Sequence, residues 1–348
     1  MKIYKDLYWF IISPQTLFHA WDIFKSDKRS RPDVVNFELN LEKNIFNLYR
    51  CLKNKTYTHG PYRGFWIHDP KVRRVHKATV VDRVLHHAIF QILNPIFEPT
   101  FIAFSFSCRV GKGTHKGVDA TRGMLQKESR NNTRQCYVLK CDIRKFFDSI
   151  DHRILLSILE RRIRDPDTVW LLRNIIGSYE SNRSILWDKK GVPIGNLTSQ
   201  LFANVYMNEF DQFIKHTLKV RFYARYTDDF VIVSKDKEYL NNLLPEINQF
   251  LQQHLALDLH PHKVEILSYT KGIDFLGYVI FPHHTLVRKK TKQRMLWKFK
   301  DQMNHYRCGR VEKERVEASL RSYLGVLSHA NAHNFSVNLR NYFWFMRN

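Results

Sequence analysis

Two apolar, β-branched runs flank the adjacent acids of FYARYTDDFVIVS, Phe222 to Ser234. Such runs read as strands, and a Thr-Asp-Asp between them reads as a tight hairpin turn. Two carboxylates side by side at a hairpin tip repel each other unless a cation holds them. The surrounding order is also legible. YVLKCDI, from Tyr137, reads as a strand. Asp151 can N-cap HRILLSILERRI, where Ile154, Leu155, Ile158, Leu159 and Ile163 share one helical face. A further helix runs through Leu201, Phe202, Val205, Phe210, Phe213, Ile214 and Leu218, and another follows the hairpin through Leu240, Leu243, Leu244, Ile247 and Leu251. VEILS and IDFLGYVIF supply more strands. Strand, helix, hairpin, helix, strand is a split βαβ pattern, an antiparallel sheet with helices on one face. That arrangement sets Asp142, at the end of the first strand, beside Asp228 and Asp229, so three carboxylates are expected to converge.

Charge narrows the partners. Among 348 residues, 56 Lys and Arg against 33 Asp and Glu leave +23, with a pI near 9.8. A globular chain that basic meets a polyanion, and nucleic acid fits better than a membrane. No apolar run approaches the ~18 residues of a spanning helix, and LYWFII near the N-terminus is too short for a signal peptide. The expected location is the cytoplasm. Cys51, Cys108, Cys136, Cys141 and Cys308 show no CxxC or zinc spacing and read as reduced thiols. The pairs His86–His87 and His283–His284 read as ordinary core or surface histidines, since neighbours on a helix point in different directions.

Converging carboxylates in a basic protein suit Mg²⁺, which takes few protein ligands and keeps places for water and phosphates. Two such ions, with Mn²⁺ able to substitute, can activate a 3′-hydroxyl and stabilise a leaving pyrophosphate. Taken singly, an Asp at a strand end is a cap and an Asp-Asp turn is a turn; taken together they favour a metal site. CDIRKFFDSIDH and YTDD resemble the two metal-binding motifs of reverse transcriptases. KVRRVHKATVVDRVLHHA resembles the fingers segment, SCRVGKGTH the basic motif after it, and GVPIGNLTSQ the loop beneath the nucleotide. LHPHKVEIL and GIDFLGY are similar to the pyrophosphate-side lysine segment and the primer grip.

The resemblance implies an α+β, right-hand polymerase fold. Its parts would be an N-terminal helical segment (1–60), fingers (61–135), a palm (136–284, with a fingers insertion around 160–195) and an α-helical thumb (285–348). It implies Asp142 and Asp228 as principal Mg²⁺ ligands, supported by Asp229 and the Ile143 carbonyl. Phe147 would be a steric gate against a 2′-hydroxyl. Lys71, Arg73 and Arg74 would hold the triphosphate, Ile194, Gly195 and Gln200 would line the nucleotide site, and Lys263 would protonate pyrophosphate. Arg109, Lys112, Gly277 and Tyr278 would touch nucleic acid. So would Arg288, Lys289, Lys290 and Lys292, in a stretch from Thr285 to Asn348 with 14 Lys and Arg against four acids.

Ile194, Gly195, Ser199 and Gln200 stand where most reverse transcriptases carry Gln, Gly and a later Ser-Pro. This pattern resembles the reverse transcriptases of diversity-generating retroelements, bacterial or phage-encoded, which copy template RNA with errors at adenines. The implied partners are template RNA, a primer/cDNA duplex, dNTPs and a small basic accessory variability protein. No RNase H, maturase or endonuclease segment is expected after the thumb. Three other readings stay open: a retron, intron-like or host-defence reverse transcriptase, an RNA-dependent RNA polymerase, and a non-catalytic RNA-binding scaffold.

Overall fold

The computed structural model describes residues 2–69, 72–181, 184 and 188–347. Helices α1 (Leu7–Ile12), α2 (Pro14–Lys25), α3 (Pro32–Glu38) and α4 (Leu41–Lys53) come first, then the hairpin of β1 (Arg63–Ile67) and β2 (Arg73–Lys77). Next are α5 (Val80–Phe97), α6 (Thr114–Glu128), β3 (Tyr137–Asp142), α7 (Phe146–Ser149), α8 (His152–Glu160), α9 (Pro166–Gly177) and α10 (Leu197–Gln212). The hairpin of β4 (Phe222–Tyr226) and β5 (Asp229–Ser234) leads to α11 (Lys237–Leu255), β6 (Glu265–Ser268), β7 (Ile273–Phe275), β8 (Tyr278–Ile280) and β9 (Thr285–Val287). Last are α12 (Lys289–Arg307), α13 (Lys313–Leu327) and α14 (His333–Arg347).

The chain forms two compact units. The first holds Met1–Ala103, Asp142–Val220 and Pro245–Pro261; the second holds Phe104–Cys141, Arg221–Leu244 and His262–Asn348. Residues 136–284 are thus shared between both. In the first unit α5 packs against α2 and α10, and α8 packs on α10. Trp21, Tyr8, Phe202, Tyr206 and Phe210 fill the interior. Helices α2, α5, α8 and α9 begin where their orphan amides find side-chain acceptors. Ser13 accepts from Thr16 N–H ahead of Pro14, and Asp165 accepts from the Asp167 and Thr168 amides ahead of Pro166. Asp151 caps α8 as its sequence suggests, taking the Arg153 and Ile154 amides at 2.9 and 3.1 Å.

The second unit carries a sheet of order β4-β5-β3-β6, and β3 ends at Asp142, the first residue of the chain's return to the first unit. Register pairs Tyr226 with Asp229 and Val138 with Leu267. The hairpin strand β5 therefore neighbours β3, as the split βαβ pattern requires. IDFLGYVIF is not one strand: the chain reverses at Leu276 and Gly277 (φ 51° and 87°), pairing Phe275 with Tyr278. An apolar run with leucine at the corner hides that turn. The resulting strands belong to a separate sheet, β7-β8-β9. α6 packs on β4 and β5, and α12, α13 and α14 pack on one another. One apolar core runs from Val138, Ala224 and Val231 to Phe299, Leu327 and Phe343.

Replacing Asp151 by Ala leaves two helix-start amides without their acceptor. A loss of about 1–2 kcal/mol is expected, read as a lower urea midpoint at unchanged slope.

Candidate nucleotide site and nucleic-acid surface

Within the first unit, residues 142–144 pair with the 258–260 segment. His260 N–H donates to the Asp142 carbonyl at 2.8 Å, and Arg144 N–H donates to the Asp258 carbonyl at 2.9 Å. This bridge pairs Ile143 with Leu259 yet consumes only the flanking groups, so it leaves the Ile143 carbonyl out of that ladder. Asp228 sits in the two-residue turn before β5, which Asp229 opens; all three aspartates are half-buried. Among the described residues no three His, Cys, Asp or Glu side chains are grouped to hold a metal ion. Asp229 belongs to the strand and Asp228 to the turn. The donor chemistry still fits Mg²⁺: carboxylates and a carbonyl are hard oxygen ligands, and Mg²⁺ needs few of them. Lys263 lies half-buried in the second unit, two residues before β6.

The first unit brings several of the expected nucleotide residues together. Phe147 is half-buried on α7, while Phe146 beside it is 2% exposed and belongs to the core. The Phe147 carbonyl accepts from Val192 N–H at 2.9 Å, tying α7 to the loop that bears Ile194 and Gly195. That loop is tied in turn to β2, where His76 N–H donates to the Ile194 carbonyl at 3.3 Å. Gly195 has φ 117°, and a Cβ there would stand 3.0 Å from Val75 Cγ1, so a side chain would strain the backbone and crowd Val75. Arg73 and Arg74 are exposed on β2; Lys71 lies outside the described residues. Gln200, in the first turn of α10, lines a cavity of about 200 Å³ with Gly195, Lys28, Arg83, His86 and His87.

Sequence reasoning missed the polar chain behind this loop. His59 Nδ1 faces the Gly60 carbonyl at 2.7 Å, His59 Nε2 faces His86 Nε2 at 3.2 Å, and His86 Nδ1 faces the Thr198 hydroxyl at 2.8 Å. One proton order satisfies all three contacts. Thr198 donates to His86, His86 donates to His59, and His59 donates to Gly60. Tyr62 stacks on His59 and accepts from Asn196 Nδ2 at 3.4 Å. His86 is neutral in this arrangement. Burial drives His86 down to about 3, with His59 and His87 adding to it, and drives His87 to about 4, with Lys28 and Arg83 adding to it. The histidine pair does read as core; its link to Thr198 across 112 residues leaves no local signal.

In the second unit, Lys112, Gly277 and Tyr278 line one open cavity of about 760 Å³, joined by His115, Arg294 and His329, which their sequence did not single out. Tyr278 is buried, its hydroxyl donating to the Val326 carbonyl at 2.9 Å, and burial pushes it up to about 12. Lys112 stands 5.6 Å from the Phe106 ring centroid. Arg109 Nη1 donates to the Ser105 carbonyl at 2.8 Å. Arg288 pairs with Asp274, its Nε donating at 2.7 Å, and its backbone amide donates to the Gly277 carbonyl. Lys289 and Lys290 are exposed and Lys292 is half-buried, in the first turn of α12.

These motifs have a common source. A family model for reverse transcriptase (RNA-dependent DNA polymerase) matches residues 67–280, more than half of the chain, and the chain belongs to that family. Protein YkfC of Escherichia coli K12 is 27% identical over 255 residues, covering 64% of this chain and 65% of that protein. Group II intron-encoded protein LtrA of Lactococcus lactis subsp. cremoris is 23% identical over 348 residues, covering 80% of this chain and 57% of that protein. The chain spans under two thirds of either relative's length. A structure of apo telomerase from Candida tropicalis, truncated from its C-terminal domain, aligns at TM-score 0.48 and 12% identity over 67% of this chain and 57% of that one, too loosely to decide anything. Family membership supports RNA-directed DNA polymerase activity, and the family generally uses a divalent metal, typically Mg²⁺. No helix among the described residues is long and apolar enough to cross a membrane.

The buried histidines also fix a pH dependence. With folded values below the ordinary 6.5, the unfolded chain binds more protons between about pH 6.5 and 4, so stability falls as pH drops through that window. The ceiling is about 1.4 kcal/mol per pH unit for each histidine. His86→Gln is expected to lower stability at pH 7 yet flatten its decline between pH 7 and 5 in urea titrations; an unchanged slope would overturn the neutral assignment.

Proposed function

We propose that this protein is an RNA-directed DNA polymerase that copies template RNA into cDNA. One observation carries the reading. The family match across residues 67–280 contains Asp142, closing β3, and Asp228–Asp229, on the hairpin into the neighbouring strand β5. Asp142 and Asp228 are the principal Mg²⁺ ligands in this reading, with Asp229 and the Ile143 carbonyl in support. Bound there, two divalent ions supply an activated primer 3′-hydroxyl and charge neutralisation at the leaving pyrophosphate. Phe147 presents a ring beneath the deoxyribose and rejects a 2′-hydroxyl by volume. Arg73 and Arg74, with Lys71 beside them, hold triphosphate oxygens through charge-assisted hydrogen bonds. Lys263 gives its proton to the departing pyrophosphate. Residues 61–135 act as fingers, 136–284 as palm and 285–348 as thumb. The cavity around Lys112, Gly277 and Tyr278, with Lys289, Lys290, Lys292 and Arg109, receives the template–primer duplex by sequence-independent phosphate contacts.

The finer reading is an error-prone enzyme of a diversity-generating retroelement, served by a small basic accessory protein. Ile194 supports it. The loop places an aliphatic side chain where an amide could hydrogen-bond, so one check on the shape of the nascent pair, worth about 1 kcal/mol, is missing. A group II intron-type reverse transcriptase is the second reading, favoured by the likeness to LtrA over 80% of this chain.

Primer extension on a defined RNA template with Mg²⁺ and dNTPs decides between them. Product should fall to background with Asp228→Asn; a mutant as active as the parent would remove the metal assignment. Phe147→Ala should raise ribonucleotide use relative to deoxyribonucleotide by roughly 10–200-fold, the worth of a small steric contact. Sequenced cDNA should show errors concentrated opposite template adenines, and Ile194→Gln should reduce them about fivefold. A flat error spectrum favours the intron-type reading.

A further inference from the structure

Thr227 is a β-branched residue with φ 57°, in the left-handed region that side chains of its kind avoid. It is the first residue of the two-residue turn that presents Asp228 and Asp229, a position where hairpins of this sense usually place glycine. Such a conformation persists only where the surroundings over-determine it. Here they do. Arg225, 0% exposed, sends Nη1 to the Thr227 carbonyl at 3.0 Å and Nη2 to the Ser105 hydroxyl at 3.1 Å. The Thr227 hydroxyl donates to the Ser107 hydroxyl at 2.6 Å. The backbone of 104–106 runs alongside β4 as a short parallel bridge: Arg225 N–H donates to the Phe104 carbonyl, and Phe106 N–H donates to the Arg225 carbonyl, both at 3.0 Å.

We propose that Arg225, Ser105 and Ser107 form a positioning clasp that fixes the aspartate turn before metal or nucleotide arrives. None of the three acts on substrate in this assignment. Their work is to hold Thr227, and through it the direction of Asp228. A planar guanidinium suits the task, because its fixed fork reaches a carbonyl and a hydroxyl on different segments at once. A hydroxyl at 227 suits it equally, since glycine would relieve the backbone but give Ser107 nothing to hold. The clasp also gives the 104–109 segment a second duty. The guanidinium of Arg109 rests on the Ser105 carbonyl, so the loop bearing Arg109 and Lys112 is continuous with the clasp. This assignment rests on the reading of Asp228 as a metal ligand.

The test uses the full chain with Thr227→Val, Ser107→Ala and Arg225→Lys, and with Asp228→Asn as reference. Mn²⁺ binding is followed by electron paramagnetic resonance without nucleic acid or dNTP, and steady-state primer extension is measured separately. Thr227→Val keeps the shape and removes only the hydroxyl, so it remains informative if Arg225→Lys does not fold. The clasp predicts weaker Mn²⁺ binding and a kcat lowered by up to roughly 10²-fold, as small misplacements of reacting groups produce, with KM for dNTP within about twofold and the melting temperature near the parent's. Arg225→Lys, if folded, should retain part of the activity. Parental Mn²⁺ affinity and kcat in both Thr227→Val and Ser107→Ala, while Asp228→Asn loses Mn²⁺, would overturn the clasp alone. Parental Mn²⁺ binding by Asp228→Asn would overturn the metal reading, and the clasp with it.

Discussion

A guanidinium removed from water is among the costliest groups a core can hold, and Arg225 lies fully buried in the middle of a strand. That cost restricts everything near it. Its donors must be met, and the Thr227 carbonyl and the Ser105 hydroxyl meet two of them. Because those partners lie on the hairpin turn and on a segment 120 residues earlier, satisfying one side chain fixes two pieces of chain. The apolar neighbours Ala224, Val231 and Phe230 then seal the region from solvent. A hairpin whose tip carries two acids would ordinarily be mobile and solvated. This one is anchored from below, the preorganisation that an electrostatically demanding site needs.

The first unit solves a related problem around a buried carboxylate. Asp82 is 2% exposed and accepts from the Tyr57 hydroxyl at 2.7 Å, the Thr79 hydroxyl at 2.6 Å and the Gly60 amide at 3.2 Å. Burial, then the Asp82 charge, pushes Tyr57 far up, so it stays a donor. Beside it, the chain from Thr198 through His86 and His59 joins the start of α10 to the segment before β1. The loop with Ile194 and Gly195 is thus framed by a proton-ordered network on one side and the β2 backbone on the other. Polar groups so arranged specify one conformation, because any slip leaves a donor or acceptor buried without its partner.

How much was legible in the sequence follows from the range of each interaction. Asp151 and α8, the β4–β5 hairpin and β3 are written in local periodicity and capping, and they formed where the residues indicate. The neighbouring of β3 and β5 was legible only through topology, since no short-range rule pairs strands across an intervening set of helices. The reversal inside IDFLGYVIF escaped because Leu276 gives no turn signal. The Arg225–Ser105 bond and the Thr198–His86 bond span 120 and 112 residues, and neither residue type advertises a partner at that distance. Arg288, read as a phosphate contact, carries a bond to Asp274 that its basic surroundings conceal.

The same division explains why the family is written more firmly than the subfamily. A turn that presents two acids needs particular groups in a particular frame, and the family match spans the whole of it, over 67–280. Fidelity requires less. Position 194 is held by its own carbonyl, which accepts from His76 N–H, and by the φ of Gly195, which only glycine adopts without strain. Ile and Gln can therefore occupy one backbone geometry while differing in hydrogen-bonding capacity, and a change worth about 1 kcal/mol in pair discrimination need not disturb the fold around it. A loop fixed by its main chain leaves its side chain open to selection for accuracy or for error.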